Sequence, residues 1–190
     1  SDAQSIASFL SEPVQVEEIY VYMQTNYGTS VTPFYTTLAL WVGGIVLVAL
    51  MKVKVDYEDD EFKDATEHQK YMGRALLFLA MGQLQALVVV LGDLYILKID
   101  CTHPFMLWLA AAITSFVFTL FIYTLVLTFG DLGKAIAVVM IVLQIAGSGG
   151  TYPIELLPEF FQNVYLYFPF PYAINAMREA ISGLYQCDYA

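Results

Sequence analysis

Few side chains in this sequence could do chemistry. Asp93 is the single charged residue of the apolar stretch 75–97, which also carries Gln83 and Gln85. A carboxylate at the centre of a bilayer costs roughly 3 kcal/mol or more, so it must face other helices or water. Asp93 stands close to the end of its stretch and near Lys98, so it reads as an interfacial acid. Gln83 and Gln85 are two apart and fall on different helix faces, where each reads as a hydrogen-bonding partner of a neighbouring helix. His68 and His103 are far apart, and no Cys/His spacing suggests zinc. Ser148 has no base at hand for nucleophilic work. No Gly-x-x-x-x-Gly-Lys-Ser/Thr pattern occurs. No Lys follows Gly147-Ser148-Gly149-Gly150, so that run reads as a helix break or close-packing site rather than a phosphate loop. Arg178 and Glu179 could form an ion pair, with a structural role for Arg178. These groups supply no catalytic, cofactor or metal site.

The elements that must position them are membrane spans. Residues 34–51 hold no charge, and eighteen helical residues at about 1.5 Å each reach roughly 27 Å, enough to cross the hydrocarbon. The first span is therefore predicted over 33–53, with Gly43-Gly44 as a place where another helix can come close. A hydrophilic loop follows, in which 60–71 could form a surface helix. The second span is predicted over 75–97 and the third over 105–129. The fourth is predicted over 135–146, continuing to Tyr152. Four weak helix residues at 147–150 and then Pro153 should end it. Pro158, Pro169 and Pro171 divide the tail into short amphipathic pieces at 155–168 and 171–183. Before the first span, 14–16 and 19–22 are rich in strand formers, and Asn26-Tyr27-Gly28 reads as a turn. The organisation is then a membrane-proximal external segment (1–32), a four-span bundle (33–152) and external re-entrant or amphipathic helices (153–190).

Composition agrees. The chain is 58% hydrophobic and only 14% charged, where a soluble domain has about a quarter of its residues charged. A net charge of −10 argues against nucleic acid as a partner. Five of the eight Lys and Arg residues (Lys52, Lys54, Lys63, Lys70, Arg74) lie between the first two spans, and Lys134 lies between the last two. Positive charge stays inside, so those loops are expected to be cytoplasmic. Cys101 and the tail with Cys187 would then share the oxidising side, where a disulfide between them could form; two unpaired thiols is the other reading. The start at Ser1, without Met or a signal pattern, reads as a piece of a longer protein.

Two blocks resemble a known family. Tyr27-Gly28, Pro33-Phe34 and Leu38-Ala39-Leu40-Trp41-Val42-Gly43 resemble the start of the C-terminal membrane region of YhgE/Pip (phage infection protein) proteins. The block from Gln144 through Gly147, Ser148, Gly149, Gly150, Pro153 and Glu155 to Pro158 resembles that family's most distinctive stretch, and 171–179 continues it. The resemblance covers about 12–183. It implies an all-α bundle related to the membrane subunits of type-two ABC exporters, with one further span after the Arg178-Glu179 motif. It also implies a multi-pass envelope protein of Gram-positive bacteria. Implied partners are the lipid bilayer, an ABC-type ATPase or type VII secretion components, phage, and further copies in a homo-oligomer. Two function classes stay open: an exporter-like permease, and an anchor that displays an external receptor region and moves nothing.

Overall fold

A computed structural model describes residues 27–54, 66–148 and 156–183. All its regular elements are helical. They are α1 (Tyr27–Leu50), α2 (Glu67–Leu91) running into a π-helical turn (Gly92–Ile96), α3 (Pro104–Phe129), α4 (Asp131–Gly147), α5 (Glu159–Val164) with a 3-10 turn (Tyr165–Tyr167), and α6 (Pro169–Ser182). The expected strand formers at 14–16 and 19–22 lie outside the described residues.

Among those residues three helices are long and apolar enough to cross a membrane: Tyr27–Leu50, Glu67–Ile96 and Pro104–Phe129. The expected fourth span is a 17-residue helix, α4, about 25 Å long. The expected continuation to Tyr152 lies outside the described residues from residue 149 on.

Several boundaries differ from the sequence reading. Tyr27 and Gly28 are the first residues of α1 rather than a turn, and Pro33 lies inside the helix. Pro33 sacrifices one hydrogen bond in the second turn. Threonine hydroxyls nearby turn back onto the backbone, Thr32 donating to the Gly28 carbonyl and Thr37 to that of Pro33, each at 2.8 Å. The part of the expected surface helix from Glu67 onward is continuous with the second span. A reciprocal cap opens this helix: Gln69 N–H donates to Thr66 Oγ1, and Thr66 N–H donates to Gln69 Oε1. Arg74, two turns inside, reaches back to the Lys52 carbonyl through Nε at 2.9 Å and Nη2 at 2.5 Å, tying the ends of α1 and α2. Only Gly130 separates α3 from α4. Its φ of 62° and ψ of −130° suit glycine, and a Cβ on Gly133 would run into the Leu125 carbonyl, so the two helices pack backbone to backbone there.

The central helix is α3, which packs on α1, α2, α4 and α6. Trp41 of α1 is fully buried and anchors the core. Its ring meets Phe118 (5.0 Å), Phe121 (5.9 Å) and Phe170 of α6 (5.6 Å), and its Nε1 donates to the Ala137 carbonyl of α4 at 3.2 Å. One side chain thus joins four helices. The tail helix α6 starts at this aromatic centre and ends at the loop before α3. Pro169 and Pro171 both fit its first turn, where no helical N–H partner is lost. The carbonyls of its last turn receive Thr102 N–H (to Ile181, 2.9 Å) and His103 N–H (to Ala180, 3.0 Å), so two helix ends satisfy one another.

Candidate functional site

The polar groups inside the bundle divide into those spent on helix pairing and those that are not. Gln85 Nε2 donates to the Ala39 carbonyl of α1 at 3.0 Å, and Gln83 Nε2 donates to the Ala112 carbonyl of α3 at 3.0 Å. They face different helices, as their spacing requires. Gly43 makes the first bond possible, because its missing Cβ leaves the space that the Gln85 amide occupies. Gly44 lies against Ile122 in the same way. Across α2 and α3, Ser115 Oγ donates to the Gly82 carbonyl at 2.7 Å, with Thr119 beside it. Thr37 Oγ1 also lies 3.6 Å from Met177 Sδ of α6.

Asp93 is not an exposed interfacial acid. It is 7% exposed and accepts a 2.6 Å hydrogen bond from Thr36 Oγ1 of α1. The π turn is the local cause: Leu97 N–H reaches back five residues to the Gly92 carbonyl, and Ile99 N–H bonds the Asp93 carbonyl at 3.2 Å. Lys98 closes the turn with φ 51°. Asp93 and Thr36 line a cavity of about 370 Å³ between α1 and the end of α2.

Gln144 is fully buried on the inward face of α4, and neither amide atom has a hydrogen-bond partner among the described residues. Ser148, one turn on, is also buried. Gly147 carries the close-packing role expected of the glycine run, since a Cβ there would strike Phe161 of α5. Pro158 caps α5. Gly149, Gly150, Pro153 and Glu155 lie outside the described residues. Arg178 Nη1 approaches Asn175 Oδ1 at 3.5 Å, and Glu179 is buried against the bundle. Cys101 is half-buried with its Sγ 3.5 Å from the Ala180 carbonyl. Burial pushes its thiol pKa up, against a smaller opposing hydrogen bond from the His103 backbone. Cys187 lies outside the described residues, so the disulfide stays an expectation. The sequence reading missed Thr36, Trp41 and the tie between α6 and the 101–103 loop. Nothing in the local pattern marks Thr36.

Long apolar helices held by glycine contacts and side-chain bonds to helix carbonyls define a multi-pass membrane bundle of the cell membrane. The chain belongs to the ABC-2 type transporter family, whose model matches residues 68–181. It is 31% identical over 183 residues to a protein of Bacillus subtilis (strain 168) named "Uncharacterized protein YhgE", covering 96% of this chain and 23% of that protein. The chain thus spans about a quarter of that relative's length. The resemblance to YhgE/Pip proteins and to ABC-2 permeases therefore stands. No solved structure matches.

Proposed function

We propose that this chain is the membrane domain of a YhgE/Pip-like envelope protein that acts as an exporter-like permease with a separate ATPase or a secretion component. The observation that carries this reading is the ABC-2 match across α2 to α6. The given residues contain no Gly-x-x-x-x-Gly-Lys-Ser/Thr pattern, so energy from ATP would be supplied from outside this bundle. The positive charges between α1 and α2 and at Lys134 support a cytoplasmic α3–α4 turn, the side on which such a partner would dock. A role as phage receptor belongs to the same proposal and would reside in parts of the protein beyond this bundle.

One observation favours the second reading, an anchor that moves nothing. Gln83, Gln85 and Ser115 all spend their donors on neighbouring helices rather than lining a path. Purifying the full-length protein in mild detergent and identifying what accompanies it separates the two. Recovery of an ABC-type ATPase or a secretion component supports the permease. Recovery of the protein alone, from cells that make those components, supports the anchor.

A further inference from the structure

We propose that the cavity between α1 and the end of α2 binds the ammonium group of an amphipathic amine, with Asp93 as counter-ion and Tyr35 as aromatic wall. The cavity is about 370 Å³ and is lined largely by apolar groups, among them Val31, Val89 and Leu97. That volume is at the small end of ligand pockets. Among the described residues its one charged lining group is Asp93, with no Lys, Arg or His.

Asp93 is more than nine-tenths buried, and its partner among the described residues is neutral Thr36. At 2.6 Å that bond has the length of a hydroxyl donating to a carboxylate. Thr36 bonds Oδ2 of the carboxylate. A buried carboxylate without a cation is costly, and a cation from outside the described residues would offset that cost.

The surroundings select the kind of cation. One carboxylate and the hydroxyls of Thr32, Tyr35 and Thr36 fall short of the six to eight oxygens, several of them carboxylate, that calcium takes. An ammonium needs one strong counter-ion and gains from an aromatic face, and the Tyr35 ring lines the same cavity. Tyr35 and Leu97 are 56% and 65% exposed, so the mouth opens sideways toward lipid, where an acyl or alkyl tail can lie. The π turn that carries Asp93 is a distortion that recurs at functional sites. The site stands whether or not the bundle exports anything, because it is an equilibrium binding site.

The test uses the full-length protein in phosphatidylcholine nanodiscs and radiolabelled octylamine, with octanol as the uncharged competitor. Octylamine should bind saturably and octanol should not displace it. Asp93→Asn should weaken binding by about 10-fold or more, the equivalent of about 1.4 kcal/mol. Val31→Phe, which keeps the acid and fills the cavity, should also abolish binding, and this separates a lost site from a misfolded Asn variant. Displacement of octylamine by phosphatidylethanolamine in the disc would assign a lipid headgroup as the source; its absence would assign a free amine. Octanol competing as well as octylamine, or unchanged binding in both monodisperse variants, would overturn the proposal.

Discussion

Gly43 and Gln85 should be energetically coupled, and the coupling can be worked out from their geometry. A methyl group on Gly43 would fall on the Gln85 amide. In Gly43→Ala the amide must leave, and its 3.0 Å bond to the Ala39 carbonyl is lost. Such bonds between membrane helices average about 0.6 kcal/mol and reach about 1.7. Overpacking adds about 1–3 kcal/mol, while replacing a mid-helix glycine by alanine returns up to about 1 kcal/mol. The single variant should lose about 1–3 kcal/mol. Gln85→Ala alone should lose about 0.6–1.7 kcal/mol. With Gln85 already truncated, the new methyl group meets empty space, so Gly43→Ala should then be neutral or stabilising by up to about 1 kcal/mol. The double variant should therefore be more stable than the sum of the singles by about 1–4 kcal/mol. Reversible unfolding in mixed micelles, titrated with dodecyl sulfate and followed by circular dichroism, measures all four corners. Additive losses would refute the reasoning, because they would mean that Gly43 and Gln85 do not share one space.

Other outcomes follow from the same structure. Thr66→Ala should remove the cap of α2 and cost about 0.5–2 kcal/mol in the same titration; no change would mean that the cap contributes nothing to the bundle. Gly130→Ala should cost about 1–3 kcal/mol, since alanine is strained at that turn, and a wild-type midpoint would contradict the turn. Alkylation of Cys101 should show a pH midpoint above that of an unfolded thiol, because burial favours the neutral form. The associated stability is fully present below the unfolded thiol's pKa and is lost as pH rises through the folded one; a midpoint at or below the unfolded value would refute it. In intact cells, cysteine at Lys134 should resist a membrane-impermeant maleimide while cysteine at Thr102 reacts, and the reverse pattern would invert the orientation.

Much of the bundle was legible because apolar run length is a strong signal. The cores of α1, α2 and α3 fall where charge-free stretches lie. The ends were less legible for local reasons. Thr66 and Gln69 cap α2 in polar sequence, and the Thr side chains around Pro33 support a helix across a residue that usually breaks one. Gln83 and Gln85 could be assigned to different partners from spacing alone, though not to particular carbonyls. The burial of Asp93 against Thr36 was not legible, because the π turn that carries it cannot be read from composition. The meeting of Trp41, Phe118 and Phe170 was illegible for another reason. α3 is apolar on every side, so no stripe tells which face is the interior.

The most direct test of the permease account is a site-specific photo-crosslink in living cells. A photoreactive amino acid at Leu132, exposed at the start of α4, should capture an ABC-type ATPase or secretion component. The same probe at Phe105, exposed at the opposite end of α3, should not. Capture at Phe105 alone, or at neither position in cells that make those components, would contradict the account.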